Sequence, residues 1–243
     1  MKKTRLGKHD EDYLVLDILT VPTELSSDLP VRHRDWLARS TRSLQSAGVQ
    51  LTQDEHAAVH PLYGTIVGFA AAKVRLVDSG TFVTHYGLDV GDEASALQYA
   101  QETLAKNRGV TVSYHGRGYL PRMLLGRLLT HGIKPQYDVR HLANSHVDLA
   151  DTVSLHGMFS VPPLALTLET LGVRTDRPRL DLVRAKDACD RGDDETLDEE
   201  LRARVDDLTQ LLARLWASRN SVVHGSLRAR QVCAPSTDLR RAG

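Results

Sequence analysis

A single acid interrupts the apolar run Tyr13–Leu14–Val15–Leu16–Asp17–Ile18, and no other feature constrains the fold of this chain as tightly. A short, almost continuous apolar stretch suits a strand buried within a mixed sheet. A strand of that kind needs cover on both faces, which helices supply in an α/β layer architecture. Its acid needs a partner, because isolated buried charge is expensive. A metal ion or an arginine would serve, and a turn capped by Asp17 is the structural alternative.

The rest of the chain supplies the layers. A polar, proline-punctuated stretch runs to about Pro61, with a possible helix near Trp36. Leu62–Val77 reads as a strand and Thr81–Tyr86 as its hairpin partner across Asp78–Ser79–Gly80. Asp92 is placed to cap a helix whose Leu97, Ala100 and Leu104 share one face. Gly109–Tyr114 reads as a strand, and Pro121 as the first residue of a helix that Gly132 stops. Val147–Leu155 and Pro163–Leu171 read as short helices, and 174–194 as a charged loop. A long helix is expected from about Glu195 to Ser218. Its stripe is Leu197, Leu201, Val205, Leu208, Leu212 and Leu215. The expected organisation is a flexible 1–12, one domain over 13–218 and a disordered tail over 219–243.

Composition removes several classes. With 243 residues, 41% hydrophobic and 26% charged, the chain is long and apolar enough for a real core. Two cysteines cannot make a disulfide framework, and no CxxC is present for a thiolate zinc site. No apolar run approaches the ~18 residues of a membrane span, and the N-terminus lacks the apolar region of a signal peptide. A cytoplasmic protein without membrane association is expected. The formal net charge is zero, so phosphate binding must come from local patches. Aromatic residues are only 5% of the chain, so a stacking platform is not obvious.

Two chemistries compete for the end of the first strand. A phosphatase of the haloacid dehalogenase type requires Asp-x-Asp there, and a two-metal nuclease requires Asp-x-Glu. Leu19 occupies the deciding position and satisfies neither. Other motifs favour the nuclease. Val110–Pro121 contains His115–Gly116–Arg117–Gly118–Tyr119–Leu120–Pro121 after an apolar strand. His146–Val147–Asp148–Leu149 is followed by Asp151, Asp17–Ile18–Leu19–Thr20 by Pro22, and His60–Pro61 leads into Gly64–Thr65–Ile66–Val67. In order and spacing these motifs resemble the predicted 3′–5′ exonucleases related to the exonuclease domain of family B DNA polymerases. The resemblance spans about Tyr13 to Trp216.

The resemblance implies a ribonuclease H-like α/β fold, a mixed sheet flanked by helices, and two-metal phosphodiester hydrolysis. Two Mg²⁺ or Mn²⁺ ions about 4 Å apart would activate water and stabilise the leaving oxygen. Their charge calls for several carboxylates. The family uses four, and this chain retains few. Asp17 remains, while Leu19 replaces the glutamate, so Leu19→Glu is expected to raise divalent-ion affinity. The aspartate expected near Tyr119 is missing. On the last helix Asp206 and Asp207 are the candidates. Measured from Val205, Asp206 lies ~100° away at the flank of the stripe and Asp207 ~200° away, facing water, so Asp206 is preferred. The Tyr or His expected four or five residues earlier is absent, Leu201 and Arg202 standing there for Asp206.

The expected catalytic set is Asp17, Asp148 and Asp206, with Asp17, Asp206 and Asp207 as metal ligands. Thr20, His115, Gly116, Arg117 and Arg122 are the expected substrate contacts. Two functional readings follow. The first is a 3′–5′ exonuclease-like protein with a degraded centre, acting on DNA or RNA at a single-stranded 3′ end. The second is an inactive pseudonuclease that binds nucleic acid or a protein partner.

Overall fold

The computed structural model describes residues 11–232 apart from 78–79, 108, 139–141, 143–144, 155–157, 159–160 and 174–178; for 11, 80–82 and 219–232 it describes the backbone only. Five strands form one mixed sheet in the order β3-β2-β1-β4-β5. They are β1 (Glu11–Pro22), β2 (Gly64–Val77), β3 (Gly80–Val90), β4 (Val110–Ser113) and β5 (His146–Asp148). The β1–β2–β3 meander is antiparallel, while β4 and β5 run parallel to β1. The expected α/β architecture is therefore present.

The period of β1 sorts its side chains between two layers, since successive residues point to opposite faces. Leu14, Leu16 and Ile18 pack against α3 (Glu93–Lys106) and α4 (Gly116–Thr130). Tyr13, Val15 and Leu19 face the other way, against α7 (Leu182–Arg191) and α8 (Asp194–Val232). Leu201, Val205 and Leu208 of α8 are fully buried there. Each such leucine contributes about 1.5–3 kcal/mol by leaving water. Gly68 on β2 permits the contact, because a Cβ there would lie 2.4 Å from Leu201. Asp17 belongs by its period to this α8 face.

Several expected elements shift. Asp92 caps α3, accepting from the Ser95 amide at 2.9 Å, as its position predicts. By contrast α4 starts at Gly116, so Pro121 lies inside the helix rather than at its first position. The cause is long-range. Asp148, at the end of β5, accepts from the His115 and Arg117 amides at 2.8 and 3.0 Å, satisfying donors a helix start otherwise leaves open. The segment expected as one helix from Val147 begins as β5 and turns into α5 (Leu149–Val153). The expected loop 174–194 contains α7, capped by Asp181 and ended by left-handed Gly192. The polar stretch before Pro61 holds α1 (Val31–Ser46) and a short α2 (Gln53–Ala58) with a capping box on Thr52. Helix α6 (Leu164–Thr170) matches its expectation. Helix α8 continues past Ser218 to Val232. Asp78 and Ser79 of the expected turn, and residues 1–10 and 233–243 of the expected flexible ends, lie outside the described residues.

Candidate functional site

The middle of β1, just past the residues paired with β4, carries the group that the sequence singles out; the strand does not end at Asp17 as expected but runs on to Pro22. Asp17 is 23% exposed, and its Oδ1 accepts from the Ile18 amide at 2.9 Å. Its other oxygen lies 3.7 Å from Nη1 of Arg204 on α8. Arg204 in turn donates from Nε to Glu200 Oε1 at 2.6 Å, one helical turn earlier. Arg179 completes the group. It lies 3.7 Å from Glu200 and is hydrogen-bonded to Asp207. The Leu180 amide also donates to Glu200, at 3.0 Å. Three acids and two guanidiniums thus form one chain of contacts from Asp17 to Asp207. Burial pushes the Asp17 carboxyl above the usual carboxylate range, against the pull of Arg204. For Arg204, burial is outweighed by Asp17 and Glu200, which hold the guanidinium charged.

Helical phase explains why arginine, not Asp206, meets Asp17. The buried arc of α8 spans Leu197, Leu201, Leu208, Leu211 and Leu212 and also takes in Glu200 and Asp207. Its centre is Leu208 rather than Val205. From Leu208, Arg204 lies only ~40° away, Asp207 ~100° and Asp206 ~160°. The expected exposures of the two aspartates are therefore reversed: Asp207 is 7% exposed and paired with Arg179, and Asp206 faces solvent. Asp206 is coupled electrostatically to Tyr86 on β3 instead. Leu19, at the position of the family's glutamate, is 3% exposed and packed in the α8 core.

The His-Gly-Arg-Gly bend leads into α4, which reaches β1 just beyond Asp17. Tyr119 Oη and Thr20 Oγ1 are hydrogen-bonded at 3.0 Å, which ties α4 to β1. Burial raises the Tyr119 hydroxyl pKa; Asp17 raises it too, while Thr20 and Arg204 oppose. His115 is the one described non-glycine residue with positive φ, at 57°. Gly116 is needed for close approach, since a Cβ would lie 1.9 Å from Ser113 Oγ. Arg117 is exposed and 3.5 Å from Asp151, and Arg122 is exposed.

Asp148 is engaged elsewhere. Besides the two α4 amides it accepts from the Ala150 amide at 3.0 Å, capping α5. In the sheet order β5 stands two strands from β1, about 9–10 Å at the usual spacing. His146 is hydrogen-bonded to Ser113 Oγ at 2.8 Å rather than to Asp148.

The structure thus brings Asp17, Thr20, Tyr119 and α8 together, and does so without Asp206 or Asp148. Arg204, Glu200 and Arg179 were missed by sequence reasoning. Glu200 and Arg204 carried a readable signal, an acid–arginine pair at i,i+4 on the buried arc; Arg179 carried none. Among the described residues, no group of three or more His, Cys, Asp or Glu side chains could hold a metal ion. The donors present fit a pair of divalent cations badly, because Arg204 and Arg179 already place two positive charges among the acids. Among those residues, no helix is long and apolar enough to cross a membrane.

Comparison with known proteins agrees with this architecture. No protein-family profile matches the chain, and no curated protein matches its sequence. Among solved structures it is similar to the family B DNA polymerase of the hyperthermophilic archaeon Pyrobaculum calidifontis, with a TM-score of 0.51 and 16% identity. The match covers 84% of this chain and 24% of the polymerase, so this chain spans about a quarter of that protein's length. The mixed five-stranded sheet with helices on both faces is an α/β fold, consistent with a ribonuclease H-like arrangement.

Proposed function

We propose that this chain is an exonuclease-like, nucleic-acid-binding protein that holds its ligand without hydrolysing it. The observation that carries the reading is Arg204 against Asp17, on the strand where the resemblance calls for metal ions. A guanidinium neutralises a carboxylate but does not lower the pKa of a bound water as a divalent cation does. Buried Leu19 supports the same reading, since it removes a second oxygen ligand. The ligand class rests on the fold likeness and the family resemblance; a protein partner is the alternative.

The test uses the purified full chain with end-labelled single-stranded DNA, duplex DNA and RNA, in Mg²⁺ and then in Mn²⁺. Retarded or polarised label without shortening is expected. Loss of 3′-terminal nucleotides that disappears in Asp17→Ala would overturn the proposal in favour of an active enzyme. Absence of binding to all three would leave only the protein-partner alternative.

A further inference from the structure

The segment between β1 and β2 gathers aromatic rings that are scattered in the sequence. His33 and Trp36 come from α1, His56 from α2, and His60 and Tyr63 from the turn into β2. The Trp36 and Tyr63 ring centres are 5.8 Å apart with planes 35° from parallel. His60 lies 5.2 Å from Trp36 and 5.1 Å from Tyr63. The base of the cluster is fixed, because buried His56 is hydrogen-bonded to Thr41 Oγ1 at 2.9 Å. Its top is open: Trp36 is 40% exposed and Leu62 69%. Trp36 and Tyr63 therefore form a small platform with three histidines, which composition alone does not reveal.

The charge on helix α1 is one-sided. Helix α1 carries Arg32, Arg34, Arg39 and Arg42 against a single acid, Asp35, in a chain of zero formal charge. Arg32 and Arg39 stand at i−4 and i+3 from Trp36, the positions that neighbour it on a helix surface. Among the described residues, neither takes part in an ion pair, whereas the arginines of the Asp17 cluster do. The platform also sits at the carboxyl end of β1, where the Thr23 amide donates to the Tyr63 carbonyl at 2.8 Å. It is held to α4 as well, through Arg127 Nη1 on the Pro61 carbonyl at 3.3 Å.

We infer that this face binds single-stranded nucleic acid, with bases stacked on Trp36 and Tyr63 and phosphates held by Arg32 and Arg39. The inference rests on the nucleic-acid reading above and gives it a place on the molecule. Stacking accepts any base, because every base has a π-face, and needs strands whose faces are open. A duplex hides those faces. An acidic peptide would meet the arginines but offer nothing to the rings.

The experiment uses the full chain carrying Trp216→Phe, so that Trp36 is the only tryptophan. The probe is an oligothymidylate of about 15 nucleotides, within the span such sites cover. Controls are an abasic strand of equal length, the duplex and an oligoglutamate. Expected are quenched Trp36 fluorescence with the oligothymidylate, much weaker binding of the abasic strand and duplex, and none of oligoglutamate. Without the Trp216 change, Trp36→Ala is expected to weaken oligothymidylate binding by about tenfold, the loss of one stacked base, with Trp36→Phe restoring most of it. Arg32→Ala with Arg39→Ala is expected to flatten the log–log salt dependence by about 1.4, two phosphate contacts at single-strand density. Circular dichroism checks that each variant is folded. Wild-type binding unchanged by both sets of substitutions would overturn the inference and leave the broader reading standing. No binding of any nucleic acid would overturn both. Preference for oligoglutamate would overturn it in favour of an acidic protein surface.

Discussion

A carboxylate within a buried strand must be neutralised or compensated, and at Asp17 the compensating group is Arg204. The two sides of this pair are not equivalent. Removing the arginine leaves Asp17 and Glu200 with one guanidinium fewer, so Arg204→Met is expected to cost about 2–4 kcal/mol, because an uncompensated, poorly solvated charge remains. Asp17→Asn leaves Arg204 its contact with Glu200 and relieves a carboxyl that burial already strains, so a change within about 1 kcal/mol is expected. Urea denaturation of both variants at pH 7 measures the asymmetry. A cost for Asp17→Asn as large as that for Arg204→Met would show that Asp17 is the anchor of the cluster. The direction of the Asp17 shift sets its pH behaviour. With a folded pKa above the unfolded one, its contribution is fully present below about pH 3.8 and fades as pH rises through the folded value. Leu19→Glu is now expected to destabilise, by about 3 kcal/mol, since it places a carboxylate in the α8 core. Thermal melting with and without Mg²⁺ checks it. Rescue by Mg²⁺ would restore the earlier expectation of a metal site.

At the scale of elements, what joins distant segments is a set of buried acids. Glu93, in the first turn of α3, accepts from Arg127 of α4 at 2.8 and 2.6 Å and from the Ile66 amide of β2 at 2.7 Å. Burial would raise its pKa, but Arg127, Ile66 and His131 together hold it below the usual glutamate range. The sign is the reverse of that at Asp17. Stability from Glu93 is present above about pH 4.5 and lost as pH falls through the lower folded value. Glu93→Gln is expected to cost about 2–4 kcal/mol at pH 7 and to blunt acid unfolding below that range; a pH series of thermal melts reads both. Asp148 acts likewise between β5 and α4. Elements of this kind mark the limit of what the sequence reveals. The apolar run of β1, the Asp92 cap and the stripe of α8 are local patterns and were legible. The early start of α4 was not, because its cap arrives from thirty residues downstream. Strand β5 has three residues, too few to show a period, and the charged segment around α7 hides the small buried face of Ala185 and Ala188. The phase of α8 differs from the expectation by about 60°, the rotation from Val205 to Leu208: arginine and acids occupy part of the buried arc, so apolar residues alone place its centre wrongly.

For the whole molecule, the aromatic platform and the His115 bend lie toward the carboxyl ends of the parallel strands. The His115 bend and Asp148 stand at the carboxyl ends of β4 and β5, Asp17 lies midway along β1, and the aromatic platform follows the carboxyl end of β1 at Pro22. That is the end at which open α/β sheets commonly take ligands. An interface of this type binds through rings and phosphates, so its affinity is expected to fall steeply with salt and to change little on replacing Mg²⁺ by a chelator at constant ionic strength. Fluorescence anisotropy across a salt series, with and without chelator, checks this. A chelator-sensitive affinity would return metal ions to the site.

The ion pair between β1 and α8 has one more consequence. A protein that borrows its cations from solution works only where they are supplied, and loses them to any stronger competitor. Here the compensating charge is covalently part of the chain, synthesised with it in fixed ratio. The carboxylate of Asp17 therefore has its counter-charge without drawing an ion from solution.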